Sequence, residues 1–322
     1  AKFEKLAKKT AEGGQLPGHA IFDLHQTDGF ILDLTKALAA DRGMTIDLDG
    51  FKAAETEHKK KSGQGSWGVM AAGPLDSIQQ SAGDTKFLAY DATSSEATIV
   101  GLIVDGSPVE EVRTAGASVD VVLDQSPFYG ESGGQVGDSG TIFANGTACS
   151  VIDAQKHGSL IVHRGLLESG SLKLGQTVTA EVTGSRRAGI RRAHSATHLL
   201  HHGLHRVLGE HAVQRGSKVE DDVLRFDFSH GAQVTAEELV EIEDIINERI
   251  AEGAAVEISF MSLAEAKSSG AMALFGEKYP DRVRVVSMGD FSQELCGGTH
   301  LDNTGQVGLC RIISEENVAA GV

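Results

Sequence analysis

Ala193-His194-Ser195-Ala196-Thr197-His198-Leu199-Leu200 reads as the start of a helix with histidines at i and i+4. That spacing puts both imidazoles on one face, about one turn apart, within reach of one metal ion. A second short motif lies further along, Cys296-Gly297-Gly298-Thr299-His300. Its paired glycines let the backbone bend tightly, so that Cys296 and His300 face one point. His194, His198, Cys296 and His300 together supply three nitrogens and one sulfur, a tetrahedral zinc shell. The histidine pair alone does not decide this, because helical histidines are common as surface or satisfied core residues. His201, His202 and His205 share the same helix. The cysteine adds weight: there are only 3 in the chain (Cys149, Cys296, Cys310), and one sits four residues before a histidine. A zinc protease helix reads HExxH, with the glutamate as general base; Ser195 takes that position here, which excludes the protease reading.

Composition bounds the rest. At 322 residues the chain is long enough for two or three domains with their own cores. Apolar content of 40% and charged content of 23% are those of an ordinary globular protein. No apolar run is long enough to span a bilayer, and no secretory signal opens the chain. Few, odd-numbered cysteines argue against a disulfide framework and fit a reducing, cytoplasmic setting. A net charge of −16 argues against nucleic acid unless local clusters override it. Lys59-Lys60-Lys61 is one such cluster; Arg186, Arg187, Arg191 and Arg192 form another, which runs straight into the histidine helix. Solvated faces are the plain alternative for both. Neither Ala1 nor Val322 reads as a natural boundary, so the chain is expected to be an excised fragment.

Residues 1 to about 85 read as helical. Leu34 and Leu38 followed by Arg42-Gly43 suggest an amphipathic helix, and Asp49 caps a second, from Gly50 to about Lys61. Gly63 to Gly83, rich in Gly, Ser and Gln, reads as a loop holding the lone tryptophan, Trp67, as a packing anchor. From about Lys86 the period becomes two. Thr98–Val104, Val119–Leu123, Thr141–Phe143, Ala148–Ile152, Leu160–Val162 and Val178–Val182 are expected strands of a small β-barrel, with Asn145-Gly146 as a hairpin turn. Between them lies Pro127-Phe128-Tyr129-Gly130-Glu131-Ser132-Gly133-Gly134-Gln135-Val136-Gly137-Asp138-Ser139-Gly140. Turn punctuation accounts for the glycines but not for Glu131 and Gln135, so a substrate-facing loop stands beside plain turn packing.

After the arginines comes the histidine helix, to about Gly209, docked through Ala196, Leu199, Leu200, Leu204 and Val207. Leu224–Phe228 alternates as a strand. Thr235-Ala236-Glu237-Glu238 is a capping box opening a helix to about Glu252, stopped by Gly253, and Ser262-Leu263-Ala264-Glu265 repeats the pattern. Val256 to Phe260, Arg282 to Val286 and Val307 to Ile313 are expected strands, placing the metal ligands on a helix and on a loop between strands.

The motif set resembles the alanyl-tRNA synthetase family, in its editing domain and the free-standing relatives of that domain. The residues that carry the likeness are HSATHLL, QRGSKV at 214–219, LRFDFSH at 224–230, MALFGEKY at 272–279 and LCGGTH at 295–300. FYGESGGQVGDSG resembles the loop of the β-barrel that precedes the editing domain. Phe22 to Thr35 looks like the tRNA-recognition region, with His25, Asp28 and Ile31 departing from its pattern. The resemblance implies an α+β multidomain chain: a helical N-terminal tRNA-recognition segment (1–85), a β-barrel (86–185) and an α+β zinc-containing editing domain (186–322). It implies hydrolysis of serine or glycine wrongly esterified to the tRNA for alanine. A pocket shaped for a methyl group cannot exclude glycine and rejects an added hydroxyl only about a hundredfold, so a second site must supply the rest. It also implies His194, His198, Cys296 and His300 as zinc ligands, Thr197 as a contact to the misplaced serine, and Gln214 and Ser217 as neutral groups positioning the ester or a water. Arg186, Arg187, Arg191, Arg192, Glu131 and Gln135 are its weaker candidates along the acceptor end. Nothing here resembles the family's ATP-binding aminoacylation domain or its C-terminal region, so alanine activation is not expected of these residues. Two other readings stay open. One is a tRNA-binding module with a structural zinc, since four protein ligands leave no open position. The other is a metal hydrolase of another small ester, against which the uncharged Thr197, Gln214 and Ser217 and the adjoining arginines argue.

Overall fold

The computed structural model describes residues 6, 10, 14–22, 35, 39, 42–48, 50–52, 73–273 and 279–316. The chain divides into two compact units, Ala1–Ala71 with Glu316–Val322, and Ala72–Glu315. In the first, Gln15–Leu16 pairs in parallel with Thr45–Ile46, and Leu16, Ile21, Phe22, Ala39 and Phe51 share a small core. The expected helix through Leu34 and Leu38, the Lys59–Lys61 run, Trp67 and the His25–Ile31 stretch lie outside the described residues.

The second unit opens with a correction. Part of the expected 63–83 loop is a helix, α1 (Pro74–Ala82). Proline at its first position needs no hydrogen bond there, and Asp76 accepts from the Gly73 N–H at 2.9 Å. Its single buried residue, Ile78, seats against Gly101, where an added Cβ would lie 2.5 Å from Ile78 Cδ1. One buried anchor among Gly, Ser and Gln is too sparse a periodic signal to read from sequence.

Six strands then close a barrel: β1 (Ser94–Val104), β2 (Ser118–Leu123), β3 (Gly140–Ala144), β4 (Thr147–His157), β5 (Leu160–Ser169) and β6 (Thr177–Val182). Their order is β6-β3-β4-β5-β2-β1, all antiparallel, and β6 pairs with β1 to remove both edges. The Asn145-Gly146 turn joins β3 to β4 as expected, with Gly146 at φ 72°. The interior holds Ile99, Val121, Leu123, Phe128, Ile142 and Leu167.

A polar pair, His163 and Ser126, is buried beside them. His163 on β5 bonds Ser126 Oγ at 2.7 Å and the Val121 carbonyl at 2.9 Å, and burial lowers its pKa to about 4. The unfolded chain therefore takes up this proton first, at the ordinary value near 6.5. The stability linked to neutral His163 is present above pH 6.5 and lost as pH falls toward 4. Between pH 7 and pH 4.5 that loss is expected to be on the order of 2–3 kcal/mol. Urea unfolding at both pH values should show a correspondingly smaller drop for His163→Leu; equal drops in the two proteins would refute the assignment.

From Val182 the chain passes directly into α2 (Gly184–Leu208). This helix starts two to three turns before the histidines, earlier than expected. Its first turns lack an apolar stripe because their buried face carries Arg187, whose charge is neutralised inside the protein. The hairpin β7 (Gln214–Glu220) and β8 (Val223–Phe228) follows. Helix α3 (Ala236–Glu252) has the expected capping box, with Glu238 N–H donating to Thr235 Oγ1, and ends on left-handed Gly253 at φ 64°. β9 (Val256–Ser262), α4 (Leu263–Ser268), β10 (Arg282–Met288) and β11 (Ser292–Leu295) complete the unit, with the strands in the order β9-β10-β11. Leu199 and Leu204 of α2 pack with Ile242, Ile246, Val286 and Met288 to form this core.

The strand expected over 307–313 is absent. Thr304–Val307 is a 3-10 turn, and residues 308–316 have no regular structure. Side chains of α3 hold that backbone instead: Asn247 bonds both the N–H and the carbonyl of Cys310, and Glu243 accepts from the Ile312 N–H. The cysteine loop thus follows β11 without a strand beyond it. No helix among the described residues is long and apolar enough to cross a membrane.

Candidate metal centre

His194 and His198 leave α2 one turn apart and meet Cys296 and His300 of the loop after β11. The four donor atoms lie within 4.8 Å of one another. Cys296 Sγ is 3.3 Å from His194 Nε2 and 3.2 Å from His300 Nε2. Those spacings approach the sulfur–nitrogen edge of a zinc tetrahedron, about 3.5 Å for ordinary zinc–ligand bonds.

Two of the three imidazoles make a hydrogen bond on their other side, and the third, His198, has a carboxylate near its Nδ1 without a hydrogen bond to it. His194 Nδ1 lies 2.7 Å from Gln135 Oε1, His300 Nδ1 lies 3.2 Å from Ser195 Oγ, and His198 Nδ1 lies 3.5 Å from Glu294 Oε1. Glu294 also bonds His201 Nδ1 at 3.2 Å. This is the outer support expected around metal-bound histidines, which fixes ring orientation and tautomer. The donor set and its supports therefore fit zinc.

The electrostatics agree. Burial alone would raise the Cys296 thiol, but the imidazoles of His194, His300 and His198 outweigh it and hold the pKa well below its ordinary value. The thiolate is the form that binds a metal. Burial likewise opposes ionisation of Glu294, and the pull of His198 with the His201 hydrogen bond overcomes it, leaving the carboxyl below its usual range.

The loop has a specific steric demand. A Cβ on Gly298 would sit 1.9 Å from His194 Cε1 and 2.9 Å from Gln135 Oε1, whereas one on Gly297 would meet nothing closer than Tyr90 Oη at 4.0 Å. Arg284 braces the turn, donating to the Cys296 carbonyl at 2.8 Å and stacking 4.2 Å over the Tyr90 ring. Tyr90 in turn donates to the Gly297 carbonyl at 2.6 Å.

Residues 1–186 match the family model described as tRNA synthetases class II (A), and residues 283–322 match the threonyl and alanyl tRNA synthetase second additional domain. The alanine--tRNA ligase of Idiomarina loihiensis is 47% identical over 313 residues, 97% of this chain and 35% of that protein. The chain belongs to the alanyl-tRNA synthetase family. It spans about a third of the length of the curated relative it matches.

Within this family member, the residues expected at a substrate surface separate. Gln135 is fully buried beside His194. Glu131, four residues earlier, is exposed and holds Gln155 Nε2 at 2.7 Å. Arg187 is buried against Asp138 and donates to the carbonyls of Ala89 and Pro127. Arg186 bonds the Gly137 carbonyl, Arg191 the His300 carbonyl, and Arg192 both oxygens of Asp222. All four arginines are thus engaged with the protein itself, and only Arg191 reaches the metal-centre loop.

Thr197 is buried and donates to the Ala193 carbonyl at 2.9 Å. Gln214 and Ser217 are half-buried on β7 and bonded to each other at 3.0 Å. That strand reaches the glycine-rich loop through Val219 N–H to Gly134 O and Val136 N–H to Val219 O.

Sequence reasoning missed Glu294, Thr299 and the supporting roles of Ser195 and Gln135. Ser195 lies inside the HSATH motif, and Glu294 and Thr299 flank the cysteine, so proximity was the available signal. Gln135 stood out only as a loop residue that turn packing leaves unexplained, and the 59 residues between it and its histidine hid the partner.

Proposed function

We propose that the four-ligand centre holds zinc and that this chain hydrolyses serine or glycine wrongly esterified to tRNA(Ala). The observation that carries the reading is the convergence of three imidazoles and one thiolate, in a chain with a second additional domain of this family. Bound there, zinc would supply Lewis-acid polarisation or an anchor for the terminal ribose and ester.

The protein's own groups supply discrimination. The Thr197 hydroxyl is committed as a donor to Ala193, so its two lone pairs remain and can only accept. A serine hydroxyl can donate to it; an alanine methyl cannot. Gln214, donating to Ser217, keeps its amide oxygen for a water or an amino group, and Ser217 keeps its proton for the ester. These neutral groups suit a positioning role. Attachment of alanine with ATP is proposed for a longer cytoplasmic protein containing this chain, through a domain outside these residues.

The test is deacylation of seryl-tRNA(Ala) and alanyl-tRNA(Ala), with zinc assayed alongside. Loss of serine with alanine spared is expected, and Cys296→Ala should lose both zinc and hydrolysis while far-UV circular dichroism is retained. Zinc bound without hydrolysis of either ester would transfer the function to tRNA binding around a structural metal, the reading that saturated coordination favours.

A further inference from the structure

Gln135 stands on the barrel's glycine-rich loop, not on the helix or the turn that supply the four donors. Two contacts decide which way its amide points. The Thr299 backbone N–H donates to Oε1 at 2.8 Å, and Nε2 donates to Thr299 Oγ1 at 3.0 Å. A backbone N–H can only donate, so the atom facing it is the amide oxygen. The same oxygen lies 2.7 Å from His194 Nδ1. An amide oxygen can only accept, so Nδ1 carries the proton. The lone pair of the neutral ring is then on Nε2, the atom 3.3 Å from Cys296 Sγ.

We propose that Gln135 is a positioning residue of the metal centre, setting the tautomer of His194 and clamping the 296–300 turn onto α2. The inference rests on the metal reading above. One oxygen bridges both halves of the ligand set: His194 from the helix, and Thr299 from the turn bearing Cys296 and His300. Gly298 closes against this oxygen and the His194 ring, so neither group has room to turn away. The loop is itself held at both ends, by Gly134 and Val136 pairing with Val219 and by Asp138 against Arg187. Metal affinity is therefore a joint property of the barrel and the domain that follows it. A ring released from Gln135 is free to place its proton on Nε2, and that tautomer has no lone pair on the nitrogen that faces Cys296.

The test uses the whole 322-residue chain. Zinc affinity is measured by competition with a chelator, and the visible spectrum is recorded with cobalt(II) in place of zinc. Gln135→Met, which has no acceptor, is expected to lose roughly 10–100-fold in affinity and to change the cobalt spectrum. Gln135→Glu keeps an oxygen for both Thr299 and His194, so its affinity should stay within about threefold of the unmodified protein. Gln135→Met binding zinc as tightly as the unmodified chain, with the same cobalt spectrum, would overturn the proposal and leave the metal reading intact. Failure of the unmodified chain to bind any metal would overturn both. If Gln135→Met does not fold, Gln135→Glu decides: retained affinity supports the proposal, and lost affinity overturns it.

Discussion

Gly298→Ala is expected to destroy the metal centre while Gly297→Ala leaves it working, although the two glycines are adjacent. Neither needs a left-handed backbone, since neither has positive φ. The difference is steric. A methyl at 298 would lie 1.9 Å from His194 Cε1 and 2.2 Å from Nδ1, inside any contact that packed atoms make. His194 cannot swing aside, because it is buried and bonded to Gln135. Lifting the loop instead would carry Cys296 and His300 out of reach of α2. Either response removes a donor, and the zinc affinity should fall by at least about 100-fold, the upper end of losses seen when ligand support alone is removed. At 297 the nearest atom is Tyr90 Oη at 4.0 Å, an ordinary contact. Chelator competition on the two variants measures this directly, and a Gly298→Ala protein within about twofold of the unmodified affinity would exclude the steric account.

Removing Arg187 is the second large effect. Its side chain is 5% exposed and its partner Asp138 only 1%. Nε donates to Asp138 Oδ1 at 2.9 Å, and the same carboxylate accepts from the Tyr129 N–H at 2.6 Å. Arg187→Met would leave a buried carboxylate with a single backbone donor, an imbalance of about 3–5 kcal/mol in comparable pairs. Taking out both charges, as in Arg187→Met with Asp138→Leu, should restore part of that loss, because the desolvation cost disappears with the pair. Urea midpoints of the single and double variants check the sign of the coupling; a double variant as unstable as the sum of its singles would refute it. The pair also steadies the loop that carries Gln135, so the single variant should weaken zinc binding as well. An arginine in the basic run that leads into the histidine helix invites a phosphate-binding role, but here burial and three internal acceptors assign Arg187 to the packing of the barrel against α2.

How far the sequence could be read depended on the range of the signals. Local patterns were legible. The Asn145-Gly146 turn, the Thr235 and Ser262 capping boxes and the Gly253 stop all arise from side chains within a few residues of the backbone they satisfy. Alternation also identified the barrel strands. It misled at 307–313, where apolar residues pack against α3 without a strand partner. It was silent at α1, which is held by one isoleucine. The alternation of Val256, Ile258 and Phe260 marked a strand but not a buried face, since Ile258 and Phe260 are about half exposed at the edge of their sheet.

By itself the sequence named the four candidate donors, two by their spacing on one helix face and two by their spacing across one tight turn, and the fold brings the two pairs together. It also determined the family, through short motifs whose order does not depend on packing. Only the tertiary structure decided what orients those ligands. Gln135 and Glu294 acquire their roles by arriving beside histidines far from them in the chain, and the four arginines acquire internal partners in the same way. A buried polar group must find a partner wherever folding brings one within about 3 Å, and no periodicity along the chain encodes that meeting.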